Sequence, residues 1–264
     1  MTREGPVLRV FGPPDSPRRR RLKALPVIGV GVRLTRATYW RLRERREFLQ
    51  RRVGEKRIDF ENRHVHKAQK LSKKNTRRAY ARLYGDARLL DLYLAPERLA
   101  FYREVADVAA RLQPHSVIDV GCGTGNLLHE LVERAAPERI VGIDYTSTGI
   151  RRAGELVPGG EFLVANLYDL SLDETFDVVL CTEVLEHVPD PAGAVERLLQ
   201  LCGGSGAIVV TVPDGATDTW EGHVNFWTAA ELEEFLGRYG DVELSRMGGD
   251  LLAVLRPRRE PARV

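Results

Sequence analysis

Cysteine is scarce in this 264-residue chain: Cys122, Cys181 and Cys202 are odd in number, scattered, and form no C-x-x-C pair. That excludes a disulfide framework or a cysteine-based zinc site and fits a reducing compartment. Long apolar runs are also lacking. Residues 24–32 (ALPVIGVGV) are apolar but only nine long, against the roughly 20 needed to cross a bilayer as a helix. An arginine pair precedes them, as in some export signals, but no A-x-A-like cleavage site follows. The expected location is therefore cytoplasmic, peripheral at the inner membrane surface. A hydrophobic content of 43% still suffices for one packed domain with an appendage.

Each half of the chain is short of one sign of charge. Residues 1–84 carry 25 Lys and Arg against 7 Asp and Glu, a surplus of 18 positive charges, while the rest carries 15 against 30. No lysine follows Lys74. The split falls near Gly85 and predicts a basic, partly disordered and partly helical extension, residues 1–84, ahead of a domain spanning 85–264. In the extension, Glu47/Arg51 and Asp59/Arg63 stand at i,i+4 and support a helix. Basic residues beside a short apolar stretch suit an anionic membrane surface, met through residues 18–84. A solvated basic helix is the plainer reading, and a nucleic-acid grip ranks below the membrane.

Residues 117–128 read VIDVGCGTGNLL. An apolar run with one acid, three alternate glycines and a renewed apolar period spell strand, turn, helix. Glycines allow positive φ and close approach of a ligand, and a helix N-terminus follows. The product is a nucleotide-type pocket at the carboxyl end of a parallel strand. The third glycine of G-x-G-x-x-G is missing, because Asn126 stands there, so a dinucleotide fingerprint is not met. Strands are predicted over 139–145, 161–165, 176–182 and 206–212, and helices over 96–112, 149–157, 191–202 (stopped by Gly203 and Gly204) and 228–236 (opened by a Thr228/Glu231 capping box). A hairpin around Gly248 and Gly249 closes the chain. The fold class is α/β: a doubly wound, Rossmann-like, seven-stranded sheet with an antiparallel C-terminal hairpin, plus the basic N-terminal extension.

The pattern D-x-G-x-G-x-G at Asp119, Gly121, Gly123 and Gly125 resembles motif I of the class I S-adenosylmethionine (SAM)-dependent methyltransferases. A second stretch, FDVVLCTEVLEHVPDP at residues 176–191, resembles the fourth-strand segment of that family, in particular of the ubiquinone-pathway O-methyltransferases. The resemblance covers about residues 92–256 and implies S-adenosyl-L-methionine as cofactor. It implies that Asp119, Gly121, Gly123 and Gly125 frame the cofactor and that Asp144, with Tyr145 beside it, holds the ribose. Asn166 and Leu167 would flank the adenine and Glu183 would line the same pocket. Asp144 has a competing reading as a helix cap, and Asn166 as a plain turn residue.

Glu183, Glu186 and His187 form a carboxylate–carboxylate–imidazole set of a kind that suits magnesium, manganese or zinc. The reading adopted is no metal, with Glu186 and His187 holding their loop together. The segment 218–236 resembles that of methyltransferases found with glycan-assembly enzymes and places His223 over the pocket mouth. His187 and His223 are the candidate catalytic bases, since an imidazole can take a hydroxyl proton near neutral pH. The activity expected is O-methylation of a small-molecule or glycan/lipid-linked hydroxyl. An RNA ribose methyltransferase gripping through its basic arm and a non-catalytic SAM-binding scaffold are the alternatives. No N/D-P-P-Y/F motif for base amines is present.

Overall fold

The computed structural model describes residues 75–258 apart from Ser171 and Glu221. The expectations for residues 1–74 lie outside the described residues. The described chain opens with three helices, α1 (Arg77–Gly85), α2 (Ala87–Tyr93) and α3 (Pro96–Ala110). Strands and helices then alternate: β1 (Ser116–Val120), α4 (Asn126–Ala135), β2 (Arg139–Asp144), α5 (Ser147–Leu156), β3 (Glu161–Val164), β4 (Phe176–Thr182), α6 (Pro191–Leu201) and β5 (Cys202–Pro213). α7 (Ala229–Gly237) and the hairpin β6 (Gly240–Met247) and β7 (Asp250–Pro257) complete the chain.

The sheet has seven strands in the order β3-β2-β1-β4-β5-β7-β6. β1 to β5 are parallel, and β7 runs antiparallel between β5 and β6. The expected class is the observed one, hairpin included. The order reverses between β1 and β4, since successive strands after β1 go to one side and β4 starts the other. At such a switch point the loops leaving the two strands diverge and open a crevice at their carboxyl ends.

The central strands β1, β4 and β5 are apolar over most of their length because helices cover both faces, whereas the edge strands β3 and β6 are partly exposed. In β1, Val117 belongs to the core on the α3/α4 side, and Ile118 and Val120 to the core on the α6/α7 side. In β5, Val209 and Ile208 divide in the same way. Leu128 and Leu131 are fully buried from α4, and Leu198 from α6. Truncating one such leucine costs about 2–5 kcal/mol, so the helices behind the crevice are held firmly.

Local signals set the helix ends. α3 and α6 each begin on a proline, where a missing N–H costs nothing. At α7 both halves of the Thr228/Glu231 capping box are formed. Gly203 and Gly204 do not serve as a helix stop. α6 ends at Leu201, and the glycines lie inside β5, where the register against β4 shifts between Phe176 and Val178. The nearby Gly206 shows why small residues are used there: a Cβ on it would stand 2.8 Å from the Asp177 carbonyl oxygen.

Candidate active site

A cavity of about 820 Å³ opens at the carboxyl ends of the central strands, within the range of small-ligand sites. The turn after β1 forms its floor. Gly121, Gly123 and Gly125 have φ of +85°, +52° and +82°, and a Cβ on Gly125 would meet Ala153 of α5 at 2.9 Å. Gly121 and Gly123 line the cavity, whereas Gly125 stands behind it as the N-cap of α4. The loop amides face inward rather than toward a ligand. Gly121 and Cys122 donate to the Ile143 carbonyl, Gly125 to that of Cys122, and Gly123 to the Asp144 carboxylate. With those donors spent, the loop is no phosphate cradle, and a ligand here must be held by its shape and by side chains.

Asp144 is buried and triply bonded. Oδ1 accepts from the Thr146 amide at 2.7 Å and its hydroxyl at 2.5 Å, and Oδ2 accepts from Gly123 N at 3.2 Å. Thr146, not Asp144, caps α5, so Asp144 fixes both the cap and the glycine turn while keeping acceptor capacity on Oδ2. Burial raises its pKa, opposed by those bonds. Tyr145 lies beside it on the wall. Asn166 accepts from Tyr168 N and opens the 3-10 turn Leu167–Asp169, and Asn166 and buried Leu167 both line the cavity.

Glu183, the first residue after β4, has φ +55°. That is a strained conformation for a non-glycine residue and is characteristic of functional sites. Its carboxylate accepts from Thr211 Oγ1 at 3.2 Å and lies 3.6 Å from Arg98 of α3. Burial and the neighbouring Asp250 raise its pKa to about 7 against the pull of Arg98. Asp119 is buried with Oδ1 lacking a hydrogen-bond partner, and burial and Asp144 push its pKa to about 8.

The far end of the cavity is built from two loops. Glu186 and His187 sit on the 3-10 turn Leu185–His187 after β4, and His223 on the loop between β5 and α7. His223 Nδ1 lies 2.6 Å from Asp218 Oδ2. His187 and His223 stack edge to face with centroids 4.9 Å apart, and Trp220 borders both. Burial, then His223, lowers the His187 pKa to about 3, so this imidazole is neutral at ordinary pH.

The expected site residues therefore converge on one cavity, Gly125 excepted. Several others there were not expected. Tyr80 and Tyr84 of α1 line the wall, with the Tyr80 hydroxyl 3.4 Å from His187 Nε2. The segment 76–84, grouped by charge with the extension, thus carries part of the site. The i,i+4 spacing of the two tyrosines was the available signal. Arg98 and Asp218 carried no signal in their local sequence.

A family model for a methyltransferase domain matches residues 76–241. The chain belongs to this family, the class I SAM-dependent methyltransferases. The match begins at Thr76, the cap of α1. The chain spans about half the length of the curated relatives it matches. It is 33% identical over 118 residues to a trans-aconitate 2-methyltransferase of Rhodopseudomonas palustris (strain BisB5), covering 45% of this chain and 46% of that one. It is 27% identical over 139 residues to the Afipia carboxidovorans protein of the same name, covering 53% and 54%. Among solved structures it is similar to the N-methyltransferase NodS from Bradyrhizobium japonicum in complex with S-adenosylhomocysteine. The TM-score there is 0.57 at 20% identity, over 70% of this chain and all of that one. The plantazolicin methyltransferase BpumL, also a complex with S-adenosylhomocysteine, gives 0.55 at 17%, over 72% and 99%. At such identities these likenesses show the fold. The cofactor of the methyltransferase is S-adenosyl-L-methionine.

The raised pKa of Glu183 gives a pH prediction with a definite sign. Folding favours its protonated form between the ordinary 4.5 and about 7. The native state therefore binds more protons there than the unfolded chain, so stability on this account is highest below 4.5 and falls until pH 7. Glu183→Gln should raise the melting temperature relative to the unaltered chain at pH 8 and leave it nearly unchanged at pH 4. A difference that did not vary with pH would contradict the shift.

Proposed function

We propose that this methyltransferase transfers the methyl group to a hydroxyl oxygen of a small-molecule or glycan/lipid-linked acceptor. The observation that carries this reading is the His223–Asp218 pair beside His187, set at the end of the cavity away from the glycine turn. Bound SAM supplies an electrophilic methyl group on a sulfonium.

The residues present suit such a group. Asp119 offers a free buried acceptor atom, Asp144 one remaining acceptor side, Leu167 an apolar face, and the glycine turn a floor without side chains. Among the described residues five acids line the cavity, Asp119, Asp144, Glu183, Glu186 and Asp250, against one cation, Arg98. Burial disfavours the ionisation of these acids, and a bound sulfonium would favour it where a polyanion would oppose it further. A tricarboxylate of the kind named in the relatives would meet these acids at close range, and so would an RNA backbone, which favours a neutral hydroxyl acceptor.

The protein's remaining task is to hold the acceptor oxygen in line, worth roughly 7–11 kcal/mol of the barrier, and to remove its proton. The two-histidine end of the cavity does both. Asp218 fixes the tautomer of His223 and leaves Nε2 facing inward. Residues 18–84 are proposed to hold the enzyme, in the cytoplasm, against an anionic membrane surface. Their support is the charge split alone.

Three measurements test this reading. Asp144→Ala removes a charged acceptor worth about 1.5–3 kcal/mol, so calorimetry should show SAM affinity falling roughly 10- to 150-fold. Unchanged affinity in a folded variant rejects Asp144 as a ribose ligand. In a methyl-transfer assay on lipid-linked glycans and quinols, His223→Ala and Asp218→Asn should each cost about 10²- to 10⁴-fold in rate with SAM binding retained; full turnover in both leaves positioning as the whole mechanism. For the arm, the full chain but not a version starting at Asn75 should sediment with anionic and not neutral vesicles, and salt should release it as the screening length falls. Retention by RNA alone would replace the membrane reading.

A further inference from the structure

Glu186 is as enclosed as any acid of the site. It is 1% exposed, it borders the cavity, and neither carboxylate oxygen has a hydrogen-bond partner among the described residues. Contrary to expectation, its side chain does not hold the loop together. The main chain and Asn225 do that work. The Glu186 carbonyl accepts from Val224 N at 2.7 Å and Asn225 N at 3.1 Å, and Asn225 Nδ2 donates to the Leu185 and Val188 carbonyls, each at 2.7 Å. These bonds clamp the two loops and leave the carboxyl group idle between them. A buried carboxyl without a partner is costly and calls for an explanation.

What faces Glu186 accepts hydrogen bonds rather than donating them. Its Oε1 lies 3.5 Å from His187 Nε2 and 3.9 Å from His223 Nε2, both too long for a hydrogen bond. Asp218 takes the Nδ1 hydrogen of His223 and leaves its Nε2 a bare lone pair. Nε2 of the neutral His187 meets the Tyr80 hydroxyl at 3.4 Å, the edge of hydrogen-bond range, and so stays open to a stronger donor. One acceptor atom from each of the three residues lies within 4.8 Å of the other two. An ammonium whose N–H groups reach acceptors at about 2.8 Å holds them about 4.6 Å apart, so small adjustments would seat one here. Aromatic rings border the same spot. The Trp220 ring centre stands 4.6 Å from that of His223 and 5.5 Å from that of His187, and a carboxylate among aromatic rings is a setting that holds ammonium groups. Arg98 is not free to serve Glu186, because it is engaged by Glu183 and by the Tyr93 and Phe101 rings.

We propose that Glu186, with His187 and Trp220, recognises a protonated primary amine on the acceptor, beside the hydroxyl that His223 deprotonates. The acceptor is then an amino alcohol, either cyclic as in an amino sugar or open-chain. This deepens the function proposed above and rests on it. The hydroxyl itself is neutral, and the positive charge sits on its neighbour. Before the acceptor enters, burial and then Glu183 keep Glu186 protonated; the ammonium displaces that proton to water at the cavity mouth. The 3.9 Å between Glu186 Oε1 and His223 Nε2 suits groups on adjoining carbons, the ammonium on one acceptor atom and the hydroxyl on the other. An amine held as ammonium has no lone pair, so the methyl group goes to oxygen. The O–H bond breaks with its proton passing to His223 Nε2, and the oxygen's electron pair bonds the methyl carbon, whose former bond pair stays on sulfur.

The test is calorimetric binding to the full chain loaded with S-adenosylhomocysteine, using two matched pairs, glucosamine against glucose and serinol against glycerol. N-acetylglucosamine, which lacks the charge, is the control. We expect the amine-bearing member of at least one pair to bind roughly 10- to 150-fold tighter than its partner, and glucosamine, if it is the one, to outbind its acetylated form equally. The pair that responds tells a cyclic acceptor from an open-chain one. Glu186→Gln should abolish the preference, and Trp220→Ala, at the half-exposed lip, should reduce it about 2- to 5-fold. SAM titration of the same samples reports whether each variant is folded. No preference for the amine in either pair, or a preference undiminished in a SAM-competent Glu186→Gln, overturns the site and leaves Glu186 as a buried neutral acid. Product analysis separates this from the parent reading. A retained preference with the methyl group found on nitrogen would sink the hydroxyl reading and leave amine recognition standing; methylated oxygen on glucose and glucosamine alike, with no preference in binding, would do the reverse.

Discussion

The geometry of the cavity depends on where the Asp144 carboxylate points. It bonds Gly123 on the turn after β1 and Thr146 at the start of α5. Two neighbouring strand ends are thereby joined through one buried acid. Thr146 can then cap α5 through Gly149 N, and that helix presents Ala153 against Gly125. The glycine turn is thus closed from behind by packing and from the side by a charge. Neither contact tolerates much change: a larger residue at 125 is strained by its φ and blocked by Ala153, and loss of Asp144 frees two backbone segments together.

The electrostatic character of the site follows from the same economy of space. Strands that end in acids at a switch point bring those acids close, and burial then disfavours their ionisation. Asp119, Glu183 and Glu186 all have raised pKa values, burial being the first cause in each case. Among these acids Arg98 pairs with Glu183, and its guanidinium otherwise lies over the Tyr93 and Phe101 rings. A cationic ligand at the glycine turn is one answer to this crowding, and protonation of the enclosed Glu186 is the other.

Most of the fold could be read because its determinants are local. The residues 117–125 specify strand, turn and helix within one stretch, and Thr228 and Glu231 specify a cap three residues apart. Gly203 and Gly204 were misplaced because a glycine pair after a helix has the same local form whether it ends the helix or admits a neighbouring strand; only the pairing with β4 decides. Tyr80, Arg98 and Asp218 were missed for a related reason. Tyr80 and Arg98 reach the site by tertiary packing, far in sequence from His187 and Glu183, whereas Asp218 stands only five residues before His223 and takes its role from the fold of their shared loop. Charge counting also misassigned residues 76–84, since arginines on the outer side of α1 conceal the two tyrosines that face the cavity.

The start of the described chain is tied to the rim of the site. Asn75, where the described chain begins, donates through Nδ2 to the Gly222 carbonyl at 2.7 Å, one residue from His223 and two from Trp220. Thr76 then caps α1, which carries Tyr80 to His187. The first described helix is thereby fixed to the loop that holds His223 as well as to His187, and half-exposed Trp220 stands beside both histidines at the same rim, so the wall opposite the glycine turn is built from three separate stretches of chain.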